Sequence, residues 1–318
     1  MQKLFFMIIA VMFSQTAFAE EKKNDFHIMP FTNYAYLGFA GQKIHTPGAG
    51  IIFTNGDLSP LVSDERNSLF IAAVYKQYYV DENRAGYEDL YHDISMLADK
   101  KYKRHLIFGV LTSQAAEPFF GGLHTFTGGI GYGYEFIQNE TISLTAGGGL
   151  VVTDFGIELS NGAAWPVIPL PILRFYAETS WVNFSLQFQK SLTVSFTLLP
   201  ETKIRLTNTF VMEPFDMRNV RDIYFDTAIW YRFFSKDSKM GDLIGIGLGI
   251  KNSGFRFDLS EKKKSYKVNY YSAYGIFDMS FLRLSAGYSF EGREIYDGKD
   301  TNNIGGGFFI TAFFTWRF

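Results

Sequence analysis

Histidine is the residue type in this chain best suited to acid–base chemistry, yet its spacing fits no catalytic motif. A lipid hydrolase of the H-x-S type needs a serine two residues after its histidine, and none of the five histidines has one. A protease built on an aspartate–histidine couple needs both groups together, and His92 with Asp93 is the one adjacent pair in the sequence. The five histidines are His27, His45, His92, His105 and His124. We therefore expect no catalytic residue and no enzyme.

Cofactor and metal chemistry also find little support in the sequence. The chain has 0 Cys, which excludes thiolate nucleophiles, disulfides and cysteine-held metals. Three glycine runs, at 128–133, 147–149 and 305–307, superficially resemble phosphate-binding loops. No Gly-Lys-Ser/Thr and no helical pattern follows any of them, so we interpret them as strand glycines that allow curvature or leave space. We expect no cofactor and no metal.

The composition favours a membrane barrel over a soluble enzyme. Aromatic residues make up 18% of the chain, with 34 Phe and 19 Tyr, while only 19% is charged. A transmembrane barrel carries aromatic girdles at both membrane interfaces and keeps a polar interior, which accounts for both values. The formal net charge is -2 and no basic block is present, so no nucleic-acid partner is expected.

The first 19 residues have the pattern of a secretory signal peptide. Lys3 provides the positive start, residues 4–13 form an apolar core, and Ala17-Phe18-Ala19 matches an A-x-A cleavage site. About ten apolar residues are too few to span a bilayer as a helix. We expect a signal peptide at 1–19, cleaved at Ala17 and Ala19, and a single transmembrane β-barrel domain at 20–318.

Period-two alternation dominates the rest of the sequence. In the segment 182–187, for example, Val, Phe and Leu alternate with Asn, Ser and Gln. Side chains alternate between the two faces of a strand, so such segments have one apolar and one polar face. We predict an all-β fold, an antiparallel transmembrane β-barrel of about fourteen strands, with twelve as the alternative. The strands are expected near 31–40, 69–80, 104–113, 123–137, 140–154, 166–177, 180–189, 191–199, 201–212, 222–235, 241–257, 266–277, 280–291 and 304–318.

Connections between these strands alternate between tight turns and longer polar loops, such as 213–221 and 292–303. An even number of strands places both termini on the same, periplasmic side. The segment 81–103 departs from the scheme, because it is long and charged where a short turn is expected. Apolar residues recur in it at helical spacing, which favours a short amphipathic helix outside the membrane; a plug or an error in strand parity are the alternatives. These residues are Tyr87, Leu90, Tyr91, Ile94 and Leu97.

The C-terminus resembles the assembly signal of bacterial outer-membrane proteins, in which a final Phe follows alternating aromatics. Trp316 and Phe318 fit that pattern, whereas Phe313 stands where a Gly is often found. The resemblance implies a location in the bacterial outer membrane, with its lipids and the barrel assembly machinery as partners. The segment 166–172 is also similar to the proline-bearing strand starts of MipA/OmpV-like barrels.

Charged residues opposite the presumed lipid face would line the barrel interior. In a narrow barrel they would pair across the lumen and plug it, whereas in a wider barrel a positive excess would favour the passage of anions. A pore would then be weakly anion-selective. The lumen-lining candidates are Arg174, Lys203, Arg205, Asp226, Arg232, Lys251 and Arg283.

Three functions remain open from the sequence. The first is a porin-like channel or passive transporter of a small solute. The second is a non-transport surface or structural barrel that binds an envelope or host partner. The third is a barrel enzyme that acts on lipid or peptide.

Overall fold

The protein is built from β-strands. The computed structural model describes residues 26–55, 68–81, 83–118, 125–139, 141–152, 167–179, 181–187, 191–199, 204–212, 223–232, 244–259, 264–279 and 281–316. The strands are β1 Phe26–Gly38, β2 Lys43–Asn55, β3 Ser68–Val80, β4 Leu90–Tyr102, β5 His105–Ala115, β6 Thr127–Gln138, β7 Ile142–Val152, β8 Val167–Glu178, β9 Val182–Gln187, β10 Ser191–Leu199, β11 Ile204–Met212, β12 Ile223–Arg232, β13 Ile244–Asp258, β14 Ser265–Met279, β15 Leu282–Tyr296 and β16 Asp300–Thr315. No helix within these ranges is long and apolar enough to cross a membrane.

The strands form one closed barrel in which each strand pairs with its neighbours in the chain. The antiparallel pairing of β1 with β16 closes the ring, with Phe31 opposite Thr315 and Leu37 opposite Phe309. The start of β1 and the end of β16 therefore lie at the same end, as an even strand count predicts. We call this the terminal end, and the end that carries the turns 39–42 and 297–299 the far end.

Along each strand the residues alternate between a lipid-facing outer surface and the interior. On β13, Ile246, Leu248 and Ile250 point outward and are exposed, and Lys251 lies on the opposite face. Large apolar side chains exposed on the outside of a closed barrel are characteristic of a membrane protein. The predicted all-β antiparallel transmembrane barrel is confirmed.

The strand number differs from the prediction, because the described residues contain sixteen strands. All fourteen predicted segments overlap observed strands, and the two additional strands are β2 and β4. β2 carries Pro47 and two glycines, residues that normally weaken a strand. The pairing of β2 with β3 skips Thr46 and Pro47, so this proline interrupts the ladder without ending the strand.

The amphipathic helix predicted within 81–103 is wrong. Residues 90–102 form β4, which pairs along its length with β3 and β5. Ile94 faces the lipid, while Tyr91 and Leu97 face inward, so apolar residues occupy both faces of the strand. A strand that is apolar on both faces loses the period-two signal and cannot be distinguished from a helix by periodicity. The alternative of an error in strand parity was the correct one.

The outer loop predicted at 292–303 is also wrong. β15 extends to Tyr296 and β16 begins at Asp300, which leaves the short turn 297–299 between them. The polar composition of this segment suggested a loop, but Glu294 is buried inside the barrel and accepts hydrogen bonds there. Polar residues that find partners in the interior are compatible with a strand.

Glycines on β6 and β7 bring these two strands close together on the inner face. A Cβ on Gly147 would lie 2.7 Å from Cα of Gly133, and one on Gly149 would lie 2.7 Å from the carbonyl oxygen of Ile130. A Cβ on Gly131 would meet Phe108 of β5 at 2.7 Å and Ile172 of β8 at 2.8 Å. The side chains of β5 and β8 thus fold over the glycines, which makes a tight corner in the wall.

Candidate functional site: the barrel interior

The far end of the interior is filled by a cluster of aromatic side chains. We call the inward rings of Tyr78, Tyr91, Phe257, Tyr266 and Tyr296 the aromatic core. Tyr91 stacks on Phe257 at 4.7 Å and on Tyr266 at 5.3 Å between ring centroids. Tyr78 of β3 meets Phe257 of β13 edge-on at 4.7 Å. Tyr91 and Tyr266 are completely buried.

These contacts join opposite parts of the wall across the interior. β3 and β4 lie on one side, and β13, β14 and β15 on the other. The backbones of Ala115, at the end of β5, and Asp258, at the end of β13, also pair across the interior in a single parallel β-bridge. At the far end, the strands β13–β16 and β1–β5 therefore enclose a packed core. The arc from β5 to β13 forms the remainder of the ring.

Closer to the terminal end, charged side chains on β4, β6 and β8 face inward. Nη1 of Arg174 lies 3.2 Å from Oδ2 of Asp99, and its guanidinium carbon lies 5.1 Å from the ring centre of Phe108. Nζ of Lys101 lies 2.8 Å from Oε2 of Glu135, whose other oxygen accepts a hydrogen bond from the Ser143 hydroxyl. The tight corner at β6 and β7 allows Arg174 of β8 to reach Asp99 of β4, four strands away, while Lys101 and Glu135 lie on strands two apart.

A second group of charged side chains lies on the opposite wall, on β12–β15. Asp226 and Lys251 face each other across β12 and β13, and the Tyr274 hydroxyl donates a hydrogen bond to Asp226. The ammonium of Lys251 lies 5.2 Å from the ring centre of Tyr274 and 5.1 Å from that of Phe309. Cation–π contacts of this kind stabilise a charge that has lost water.

Arg283 forms a separate arrangement at the terminal end of the same wall. Its Nη2 lies 2.9 Å from Oδ2 of Asp278, and its guanidinium lies 5.6 Å from the ring centre of Trp230. Arg283 is thus held between a carboxylate and an aromatic face, although it remains largely exposed. The arrangement gives this end of the lumen wall a fixed polar surface.

The structure places four of the seven lumen candidates on the inner face: Arg174, Asp226, Lys251 and Arg283. It brings Asp226 and Lys251 together, whereas Arg174 lies on β8 beside Asp99. Lys203 and the side chains of Arg205 and Arg232 lie outside the described part, as do Phe318, Ala17 and Ala19. Trp316 is described, follows the end of β16 and is exposed.

Several inward charges were not among the predicted candidates, including Asp99, which pairs with Arg174. Asp93, Asp99 and Lys101 belong to β4, whose sequence pattern predicts a helix. Glu135 was overlooked because a bulge lies between it and Ile137. A signal was available in β4, since three of its four Asp and Lys residues, at 93, 99 and 101, share one parity and only Lys100 has the other.

His45, His92 and His105 lie on the lipid face, each with a tyrosine hydroxyl beside its Nδ1. His27 alternates with the exposed Ile28 and faces the interior, and His124 lies outside the described residues. Tyr75 and His92 lie on the outer face, with the Tyr75 hydroxyl 2.8 Å from Nδ1 of His92. Asp93, the next residue on the strand, is buried on the inner face, where Lys76 lies 3.8 Å away. His92 and Asp93 therefore point to opposite sides of the wall and cannot act as a couple. Within the described ranges, no three His, Asp or Glu side chains are close enough to hold a metal.

Comparison with solved structures finds outer-membrane proteins at low similarity. OccAB3 of Acinetobacter baumannii aligns over 92% of this chain and 99% of its own, with 9% identity and a TM-score of 0.39. The outer-membrane OmpT of Vibrio cholerae aligns over 93% of this chain and 99% of its own, with 10% identity and a TM-score of 0.32. The outer-membrane protein OpdK of Pseudomonas aeruginosa aligns over 92% of this chain and 99% of its own, with 8% identity and a TM-score of 0.30. No family model and no curated protein matches the sequence.

The chain is a β-barrel of the outer-membrane type. This follows from its closed ring of strands, its apolar outer surface and its polar inner surface. Identities of about a tenth and TM-scores below 0.4 are too low to transfer a solute or an activity from these structures.

Proposed function

We propose that this protein is a porin-like channel, a passive route for a small solute across the bacterial outer membrane. The observation that carries the proposal is the inward face near the terminal end, where charged side chains line two facing walls of a closed barrel. Barrels of sixteen or more strands are wide enough to enclose an aqueous channel. An inner surface built only for packing would carry apolar residues at these positions.

The proposed route follows the arc from β5 to β13. The aromatic core occupies the other part of the far end, which leaves this arc as the section where solute and water would pass. Arg174 and Asp99 lie where the route would meet the tight corner at β6 and β7. Fixed charges of both signs on facing walls set up a transverse field, which orients small dipolar or charged solutes.

The proposed selectivity is weak. Each described inward cation among the seven candidates lies beside a carboxylate: Arg174 by Asp99, Lys251 by Asp226, and Arg283 by Asp278. Paired charges leave little net potential to exclude either sign of ion. The preference for anions stays a prediction, and it depends on Lys203, Arg205 and Arg232.

Conductance of the purified, refolded full-length chain in a planar bilayer tests this function. We expect small, long-lived conductance steps and a reversal potential in a KCl gradient that favours chloride slightly. Replacing Arg174→Gln removes an inward cation and should shift the reversal potential toward cations. Arg293→Gln removes an exposed arginine, 59% accessible at its side chain, that pairs with Glu291 near the far end, and should leave the reversal potential unchanged.

A folded protein that never conducts would contradict the channel, and a reversal potential favouring cations would contradict the anion preference. The aromatic core supports a second candidate, a structural or surface barrel without transport, because packed rings close part of the far end. Absence of conductance in both the wild type and a variant with a thinned core, Tyr91→Ala with Phe257→Ala, would favour that candidate.

The remaining expectations concern the envelope. Outer-membrane lipids would contact the exposed apolar surface, and the barrel assembly machinery would recognise the C-terminal strand with Trp316 and Phe318. The signal peptide at 1–19 would direct export. These expectations rest on the sequence pattern and on the barrel architecture together.

A further inference from the structure

A pocket of about 340 Å³ opens at the far end, beside the aromatic core, which contributes Tyr296 to its lining. Its lining comes from three parts of the chain that meet there: the β1–β2 turn, the β3–β4 connection and the ends of β15 and β16. The lining includes Gln42, Arg84, Glu294, Tyr296, Thr301 and Asn302. The volume lies at the small end of the range of about 300–1,000 Å³ that ligand sites occupy.

The negative side of the pocket is Glu294, which is 3% exposed. One of its oxygens accepts a hydrogen bond from the Tyr266 hydroxyl at 2.8 Å, and the other accepts one from the Asn302 amide at 3.1 Å. Both donors are neutral groups, so they fix the carboxylate in position without cancelling its charge. A carboxylate has about four acceptor sites, which leaves capacity for a donor supplied by a ligand.

The positive side is Arg84, on the connection between β3 and β4. Its guanidinium lies 5.2 Å from the ring centre of Tyr296, which holds it beside the pocket while the side chain remains exposed to solvent. The same ring contacts Tyr87 at 4.5 Å, and its hydroxyl donates a hydrogen bond of 3.1 Å to Asn83. The connection is thereby anchored to β15, so the guanidinium has a defined place at the pocket rim.

We propose that this pocket binds a small zwitterion, such as a short peptide or an amino acid. The carboxylate of the ligand would pair with Arg84, and its ammonium would donate to Glu294. A cavity with one fixed cation and one fixed, buried anion is complementary to a molecule that carries both charges. A ligand with a single charge satisfies one of these groups and leaves the other unpaired, which lowers its affinity. The rim residues Thr301 and Asn302 are exposed, so the pocket is open to solvent. The proposal does not depend on whether the lumen conducts.

Equilibrium titration of the refolded full-length protein in detergent, with three matched probes, tests the proposal. Glycylglycine carries both charges, N-acetylglycine is the same skeleton without the ammonium, and glycylglycinamide lacks the carboxylate. We expect saturable binding of glycylglycine and at least about tenfold weaker binding of the other two. Equal affinity for the three probes, or no saturable binding of glycylglycine, would overturn the proposal.

Two variants assign the binding to this pocket. Arg84→Gln should weaken glycylglycine by about tenfold, whereas Arg293→Gln, which removes an exposed arginine that does not line the pocket, should have no effect. Glu294→Gln keeps the shape of the side chain and should make glycylglycine and N-acetylglycine bind alike. Full affinity in Arg84→Gln, with the folded state verified by its gel mobility, would refute the assignment. Binding without any bilayer conductance would leave this proposal standing and reject the channel.

Discussion

Gly147 and Gly148 are adjacent residues of β7 with opposite surroundings. A Cβ at Gly147 would strike the carbonyl oxygen of Tyr132 and lie 2.7 Å from Cα of Gly133, whereas a Cβ at Gly148 would have its nearest atom at 4.0 Å. Alternation along the strand explains the difference, because one residue faces the tight inner corner and the other faces lipid. The glycine runs that superficially resembled phosphate loops therefore serve the curvature of the wall.

This contrast predicts that the same Gly→Ala substitution has different effects on stability at the two positions. Gly147→Ala should destabilise the folded barrel by about 1–3 kcal/mol, since the backbone of β6 must move to admit the methyl group. Gly148→Ala should change the free energy of unfolding by less than about 0.5 kcal/mol. Urea unfolding in detergent, followed by tryptophan fluorescence, measures both; equal stabilities would show that β6 and β7 are less tightly apposed than described.

A second prediction at the residue scale concerns Phe257 of the aromatic core. Phe257 is 1% exposed, and Phe308, on the lipid face of β16, is 74% exposed. Phe257→Ala leaves a cavity among packed rings and should cost about 3–5 kcal/mol of unfolding free energy. Phe308→Ala should cost much less in detergent, because micelle chains occupy the vacated space. A Phe257→Ala variant as stable as the wild type would mean that the far end is not packed.

At the scale of the elements, β4 is the informative case. Its inner face carries Tyr91 and Asp93, and its outer face carries His92 and Ile94, so both faces mix apolar and polar residues. The sequence pattern alone therefore favoured a helix, while pairing with β3 and β5 makes the segment a strand. Backbone hydrogen bonds to two neighbours decide the conformation here, and no local pattern encodes those neighbours.

The absence of native cysteine makes this element directly testable. Single cysteines are introduced at 95, 96, 97 and 98 in turn and labelled with a fluorophore. Because side chains alternate along a strand, labels at 96 and 98 should be quenched by lipid-phase quenchers, and labels at 95 and 97 should be protected from them. A helix would give a period of three to four residues in the same scan. Each variant should first show heat-modifiable migration, so that only folded protein is compared.

At the scale of the whole molecule, closure of the ring is the dominant constraint. A backbone in lipid must satisfy its hydrogen bonds internally, and a closed barrel leaves no unpaired edge. The pairing of β1 with β16 provides this closure. It also places the C-terminal strand beside the N-terminal strand, so the last strand is the one that completes the barrel.

Removal of Phe318 tests the part that the C-terminus plays in assembly. In cells, the truncated chain should reach the outer membrane in lower amounts, as measured by heat-modifiable protein in membrane fractions. The same chain refolded in detergent should keep the β-type circular dichroism and the stability of the wild type, because Phe318 follows the last strand. Normal levels in cells would contradict the predicted assembly signal.

The sequence by itself determined the class of fold and most strand positions. Alternation of apolar and polar residues is a local property, and lipid on one side with water on the other imposes it on every strand whose inner face is polar. The same alternation places Arg174, Asp226, Lys251 and Arg283 on the inner faces of their strands. For these residues, strand period and membrane environment together leave little freedom.

The tertiary structure alone decided what fills the interior. The contact of Tyr91 with Phe257, the pairing of Arg174 with Asp99, and the meeting of Arg84 with Glu294 at one pocket join residues that are 75 or more positions apart in the chain. Such contacts depend on how far the wall bends, which is set by glycines packed against neighbouring backbone and not by the local pattern. The two strands missed from the sequence, β2 and β4, border the filled part. An inner face packed with rings, as on β4, or a strand interrupted by proline, as in β2, loses the alternation that identifies a strand.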